Sequence, residues 1–401
     1  MPPSPVPLVA NRFEVVLLVI LSFVVSTRLI WLQIDQPARE LTTEYDSTAL
    51  SFNRSLAKVC PVPVDQNFPY PLAVSDAQID PHAPTSPGLA AVFLSICLFD
   101  KLDANSFTSL ATQFVTLTAL LVAITARVIT SSWVGGLLAS AVVLSRGSVL
   151  QAKTLAGAYS IMQPTVCLYF LLLALFVRSK FAGLLPMIFF VLALATLISP
   201  QFALIASAVS AILWWNASKA KGASNSSRQY LETGGIMAAA AFYPSMVLLV
   251  GAVAPSSVKN LIALNATIKN PFDALTIVNQ ALGATWSAFL GTDSHEKASV
   301  FILLLAAVWT KHLRDGVPFF LRTLVLTFCL ACLTDGALHM IAFPTSAQPL
   351  RSTLLMSLEP MIVGLSAALI WMGIRIILTN IYPDYSRSKA HRDTLTDLNL
   401  K

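Results

Sequence analysis

Charged residues are the scarcest class in this chain of 401 residues, since Asp, Glu, Lys and Arg together make up 11% of it. Soluble domains carry about 25%. With hydrophobic residues at 56%, the polar material is too little to cover a water-soluble globule of this size. The same apolar content excludes a long disordered chain, which has too few apolar residues to form a core. The composition therefore predicts a polytopic membrane protein.

Other features that the sequence lacks limit the possible domain organisation of the chain. Cysteine occurs five times, an odd number, and Cys60 is the only one in an evidently non-membrane loop, so no disulfide framework is expected. The first 12 residues hold four prolines and one Arg and are not expected to form a cleavable signal peptide, so we predict that the first apolar run is a retained span. The sequence contains no recognisable soluble domain and no internal repeat.

Apolar runs long enough to approach a membrane span are frequent. A spanning helix needs about 20 mainly apolar residues, because each backbone group must find its partner within the segment. We predict an all-α bundle of about ten spans in one transmembrane domain, 1–379, with a long outer loop at 34–106 and a cytoplasmic tail at 380–401. The predicted spans are Phe13–Leu32, Phe107–Ala126, Trp133–Leu144, Ile161–Val177, Phe181–Ile198, Gln201–Trp215, Gly235–Ala254, Ala298–Trp309, Phe319–Ala342 and Leu354–Thr379.

Basic residues in the short loops predict the orientation. If the N-terminus is cytoplasmic, the inner loops hold most of them, and an even number of spans returns the C-terminus to the same side. The net charge of +6 then reflects the positive-inside bias and not a nucleic-acid surface. The inner basic residues are Arg127, Arg178, Lys180, Lys219, Lys221, Arg228, Lys311 and Arg314, with Arg387, Lys389 and Arg392 in the tail.

Ionisable residues are rare inside the predicted spans, which argues against a channel or carrier. Glu14 lies at the start of the first span, and Glu359 and Arg375 lie in the last. Asp335 and His339 are one turn apart in the ninth span. Two interpretations of them are open, a satisfied polar pair and a proton relay.

Carboxylates gather in the outer loop instead. Glu40, Glu44 and Asp46 follow the first span, and Asp80 and His82 lie in a proline-broken run further on. A carboxylate held at the membrane surface can act as a general base towards an acceptor while a leaving phosphate stays bound to its lipid. A solvated acidic loop explains the same composition, and the residues alone leave both interpretations open.

Several short segments resemble one family in order and spacing between Phe13 and Trp215. The chain resembles the integral-membrane glycosyltransferases of the GT-C class, most closely the DPY19-type protein C-mannosyltransferases and more distantly the catalytic subunits of oligosaccharyltransferase. The segments that carry the resemblance are Arg39–Thr42 followed by Thr43-Glu44, Ser51-Phe52, Tyr70–Val74, Ser131–Leu137 and Pro200–Ala203, together with Glu44-Tyr45-Asp46 for the oligosaccharyltransferases.

The resemblance implies an inverting transfer of a sugar, mannose in the closest family, from a polyprenyl-phosphate donor to a protein acceptor in the endoplasmic reticulum membrane. It implies Glu44 as the base or as the group that stabilises the acceptor indole, with Asp46 as its substitute and Asp80 and His82 in the substrate loop. Basic residues at outer span ends would bind the donor phosphate: Arg351, Lys153 and Arg146. For Arg351 an interfacial anchor is the other interpretation.

The chain also departs from these families. Ala156-Gly157 stands where the mannosyltransferases carry an Arg-Glu pair, and Ser160-Ile161-Met162 stands where the oligosaccharyltransferases carry Asp-x-Glu. We expect no counterpart of the soluble C-terminal domain of the oligosaccharyltransferases, since 22 residues follow the last predicted span. Asp46 alone, or with Asp80 and His82, is a thin ligand set, so no metal or other cofactor is expected. The departures favour an alternative: a protein that keeps the fold without the chemistry and serves as an accessory subunit beside other membrane subunits.

Overall fold

The chain is represented by a computed structural model that describes residues 12–34, 104–146, 158–179, 181–198, 294–308, 316–342 and 353–381, and residues 202, 205, 208, 209, 211 and 212. Regular secondary structure in these ranges is helical throughout. The helices are α1 Arg12–Ile34, α2 Ala104–Thr130, α3 Trp133–Ser145, α4 Ala158–Ser179, α5 Leu185–Ile198, α6 Ser294–Val308, α7 Val317–Ala342 and α8 Thr353–Ile381, with a 3-10 turn at Ala182–Leu184.

Four of these helices are long and apolar enough to cross a membrane, as expected for a helical membrane protein. Their apolar spans are Phe13–Leu32, Thr112–Thr130, Ile161–Ser179 and Ser357–Ile377. The first coincides with the predicted span. Shorter apolar helices cover four more predicted segments, namely those in α3, α5, α6 and α7. The predicted span Gly235–Ala254 and most of Gln201–Trp215 lie outside the described residues, so the count of ten stays a prediction.

A two-residue connection joins α2 and α3 into a tight hairpin. Ser131 has a φ of 55°, in the left-handed region where a glycine more often ends a helix. Its N–H donates to the Arg127 carbonyl at a distance of 2.7 Å. Ser132 then caps α3, because its hydroxyl oxygen accepts from the Gly135 N–H at 3.3 Å. The same oxygen accepts from the Trp371 indole N–H of α8 at 3.1 Å. One serine therefore starts α3 and attaches it to α8.

We expect Ser132→Ala to lower the free energy of unfolding by about 2 kcal/mol, from a lost helix cap and a buried indole N–H left without its acceptor. Thermal denaturation in detergent measures the change. Ser131→Ala is the matched control, since the buried Ser131 hydroxyl oxygen makes no hydrogen bond within the described ranges. Equal losses in the two variants would contradict the role assigned to Ser132.

Contacts at the helix ends fix the direction of α1 and α3 against α8. Ser132 at the start of α3 contacts Trp371, whereas Arg146 just past its end contacts Glu359, so α3 and α8 are antiparallel. The Glu14 carboxylate of α1 pairs with Arg375 of α8 at 3.1 Å. The start of α1 therefore lies at the same end of the bundle as Ser132. We call this end the Ser132 end and the opposite one the Arg146 end.

The directions of α4 and α7 follow in the same way. An Nη1–H of Arg178, in the last turn of α4, donates to the Val128 carbonyl near the end of α2 at 2.9 Å. Gly316, with a φ of 88°, precedes α7 and lies so close to Val177 of α4 that a Cβ would collide with it. Both contacts place the end of α4 and the start of α7 at the Ser132 end. Because α7 then ends at the opposite side, α8 begins at the Arg146 end.

Burial differs strongly between the helices. The apolar span of α4 has 72% of its residues buried, whereas that of α1 has 11% and lies on the outside of the bundle. In the core, the rings of Tyr169, Phe170 and Phe320 meet edge to face, with centroids 5.3 and 5.8 Å apart. Buried threonines donate to the carbonyl four residues earlier, which satisfies their hydroxyl groups within the helix. These threonines include Thr118, Thr125, Thr130, Thr196, Thr323 and Thr327.

Candidate functional site

Arg146 is the one sequence-predicted site residue that the structure describes. Glu44, Asp46, Asp80, His82, Lys153 and Arg351 lie outside the described residues. The helix ends that flank their segments are described, however, and all of them lie at the Arg146 end. Segment 35–103 connects the end of α1 to the start of α2, segment 147–157 connects α3 to α4, and segment 343–352 connects α7 to α8. The chain therefore leaves and re-enters one end of the bundle at every predicted site segment.

Arg146 ends α3 in an extended conformation, with φ −80° and ψ 126°, and its N–H donates to the Val143 carbonyl at 3.1 Å. Its guanidinium group turns towards α8. The Nε–H and Nη2–H groups donate to one carboxylate oxygen, Glu359 Oε1, at 3.4 and 3.3 Å. The side chain is 16% exposed and that of Glu359 is 3% exposed, so the ion pair is largely screened from solvent. A pair in such surroundings holds the guanidinium in one orientation.

Glu359 lies about two turns into α8, among the buried residues Ser357, Leu358, Pro360 and Met361. A carboxylate at this position needs a cationic or hydrogen-bonding partner, because an isolated charge inside a membrane protein is costly. The sequence places Glu359 within the last predicted span but does not indicate its partner. One signal could have identified the partner. Arg146 ends α3 at the end of the bundle where α8 begins, so Arg146 and Glu359 lie at similar depths.

Two helices in this half of the bundle contain a proline about two turns from their start. Gln163-Pro164 in α4 and Glu359-Pro360 in α8 each place a buried polar residue directly before a buried proline. Both helices start at the Arg146 end, pack against each other, and reach the proline after about two turns. Proline lacks the N–H that would bond the carbonyl four residues earlier. Each proline therefore removes one backbone hydrogen bond from the first turns of its helix.

The second interhelical ion pair lies at the Ser132 end. Glu14 and Arg375 are 17% and 24% exposed, so this pair is closer to solvent than the first. The side chains of Asp335 and His339 in α7 are outside the described ranges, so their pairing is untested. The three described ionisable residues noted in the predicted spans, Glu14, Glu359 and Arg375, therefore all pair between helices.

Among the described residues, no group of three or more His, Cys, Asp or Glu side chains is close enough to hold a metal ion. The chemistry available from the described part of the Arg146 end is that of an oriented guanidinium beside a buried carboxylate. A guanidinium fork matches the geometry of a phosphate group, and a neighbouring carboxylate restricts the directions from which such a group can approach. This combination suits recognition of an anion at the membrane surface.

No protein-family model matches this sequence, and no curated protein matches it significantly. The resemblance to GT-C glycosyltransferases therefore stays a prediction, carried by the short segments named above.

Proposed function

We propose that the protein is a GT-C-like membrane glycosyltransferase that moves a sugar, mannose in the closest resemblance, from a polyprenyl-phosphate donor to a protein acceptor. The observation that carries this proposal is the convergence of the chain at the Arg146 end. The segments with Glu44, Asp46, Asp80, His82, Lys153 and Arg351 are all anchored to helix ends on that side, where Arg146 itself lies. Under this proposal a base, a substrate loop and three cations lie at one membrane surface.

The roles follow from the chemistry of the transfer. Glu44 activates the acceptor or stabilises its indole, and Asp46 is its substitute. Arg146, Lys153 and Arg351 bind the donor phosphate, whose charge grows as the bond to the sugar breaks. Glu359 positions the Arg146 guanidinium for that contact. Because the lipid tail of the donor is apolar, the proposal places this tail among the membrane lipids.

The finer topology belongs to the same proposal. The protein would cross the endoplasmic reticulum membrane ten times, with the Ser132 end and both termini cytoplasmic and the Arg146 end lumenal. Among the described basic residues, Arg127, Arg178, Arg322 and Arg375 lie at or near the Ser132 end and support this orientation, whereas Arg28 and Arg146 lie towards the other end.

Transfer of radiolabelled mannose from dolichyl-phosphate mannose to a Trp-x-x-Trp peptide tests the enzymatic proposal. We expect Glu44→Gln to reduce transfer by about 100-fold or more, the ordinary contribution of a general base. Glu40→Gln, which removes a carboxylate from the same loop, is the matched control and should retain activity. Transfer by the wild-type protein that survives Glu44→Gln would refute the role of Glu44.

One observation favours the accessory-subunit alternative. Arg146 already has a carboxylate partner inside the protein, so a donor phosphate must compete with Glu359 or join it. Under this alternative the purified wild-type protein transfers no mannose and co-purifies with other membrane subunits in fixed stoichiometry. Donor binding would then be unchanged in the Arg146→Gln/Glu359→Gln double variant, whereas the enzymatic proposal expects that variant to lose it.

A further inference from the structure

The Ser132 end carries a pair of arginines that the proposed transferase chemistry does not use. Arg127 in the last turn of α2 and Arg178 in the last turn of α4 are both exposed. We propose that Arg127 and Arg178 form a headgroup site for an anionic phospholipid, with the phosphate between the two guanidinium groups and an acyl chain along α2.

Arg127 is held in place by an aromatic ring. Its guanidinium carbon lies 3.4 Å from the centroid of the Trp133 ring, which is the distance of direct stacking. Stacking uses the flat face of the guanidinium and leaves its N–H groups directed outward in the plane of the group. Trp133 is 53% exposed at the start of α3, in the position of a tryptophan at a membrane interface. The arginine is therefore oriented before any ligand binds.

Arg178 brings a second guanidinium group to the end of α2. It donates from Nη1 to the carbonyl of Val128, the residue that follows Arg127 in the chain, at 2.9 Å. Both cations thus lie at the end of α2. Within the described ranges neither has a carboxylate partner, in contrast to Arg146 and Arg375 in the same bundle. Two exposed cations at one helix end, without a carboxylate partner in the described ranges, are suited to binding a phosphate ester.

The surface beside Arg127 favours a lipid over a free phosphate. Leu120 and Leu117 are 54% and 42% exposed and lie seven and ten residues before Arg127, on the same face of α2. An acyl chain along this face contacts the leucines while its headgroup phosphate reaches Arg127. Two guanidinium groups also select a net anionic lipid over a zwitterionic one.

Native mass spectrometry of the detergent-purified protein tests the site with phosphatidic acid and phosphatidylserine against phosphatidylcholine. We expect Arg127→Gln and Arg178→Gln to weaken binding of the acidic lipids by about fivefold each and the double variant by about 20-fold, with phosphatidylcholine unchanged. Arg322→Gln is the matched control, because Arg322 is an exposed arginine near the same end, on α7. Equal weakening by Arg322→Gln would overturn the site in favour of diffuse attraction.

Two further measurements separate the remaining explanations. Glycerol phosphate and inorganic phosphate have no acyl chain, so displacement of the acidic lipid by either at comparable concentration would overturn a lipid site. If the double glutamine variant fails to fold, Arg127→Lys/Arg178→Lys keeps both charges without the fork or the stacked plane. That variant should retain weakened but selective binding of acidic lipid, and complete loss of selectivity or unchanged affinity would each contradict the proposed geometry.

Discussion

Glu359→Ala should destabilise the bundle by about 3 kcal/mol, because it removes the carboxylate that accepts from two N–H groups of the largely screened Arg146 guanidinium. Glu359→Gln, which keeps an oxygen acceptor of nearly the same shape, should cost clearly less. Unfolding in detergent mixtures, followed by circular dichroism, measures the order of the two variants.

A double variant distinguishes the loss of this ion pair from a general loss of packing. In Arg146→Met/Glu359→Leu both charges are removed together, and replacement of a buried pair by apolar residues is often close to neutral. The double variant should therefore recover most of the stability lost in Glu359→Ala. The corresponding change at the more exposed pair, Glu14→Ala, should cost about 1 kcal/mol or less. A loss at Glu14 as large as the loss at Glu359 would contradict the assignment.

Gly136→Ala should destabilise the protein by about 2 kcal/mol through overpacking between α2 and α3. A Cβ at position 136 would lie 2.7 Å from the backbone carbonyl oxygen of Ala123. A backbone oxygen cannot rotate away as a side chain can, so the two helices must separate. Alanine also favours a helix by up to about 1 kcal/mol, which makes the observed loss smaller than the steric cost.

Gly373→Ala in α8 is the matched control for this substitution. A Cβ there meets nothing within 4 Å, so the helix propensity of alanine acts alone and the variant should be neutral or slightly more stable. Thermal denaturation of the two variants in one detergent gives the comparison. A melting temperature for Gly136→Ala at or above that of Gly373→Ala would show that α2 and α3 are not packed this closely.

The positions of helices could be predicted from apolar runs, but their ends could not. The predicted span Phe107–Ala126 stops before the charge at Arg127, whereas α2 continues to Thr130. Arginine can lie within the last turn of a span, because its long side chain reaches the interface. The true end is set by local backbone chemistry, namely the left-handed Ser131 and the Ser132 cap.

The candidate site could be predicted only in part, because its paired residues lie far apart in the sequence. Arg146 follows from its place at an outer span end, but its partner Glu359 lies 213 residues away. Apolar periodicity indicates which segments are helices and not which helices are neighbours. The pairing of α3 with α8 depends on side-chain fit, such as Gly364 of α8 packing against Val122, Ala139 and Val143. Likewise, Glu14 and Arg375 were noted separately and pair only because α1 is antiparallel to α8.

A common site at the Arg146 end requires that all predicted site segments lie on one side of the membrane. Single cysteines would be introduced by Asp46→Cys, Lys153→Cys, Arg351→Cys and Arg178→Cys into a background in which the five native cysteines are replaced by alanine. An impermeant maleimide is then applied to sealed and to opened microsomes. We expect positions 46, 153 and 351 to react only in opened microsomes and position 178 to react in sealed ones as well. Reaction of positions 46 and 351 from opposite sides would contradict a common site at the Arg146 end.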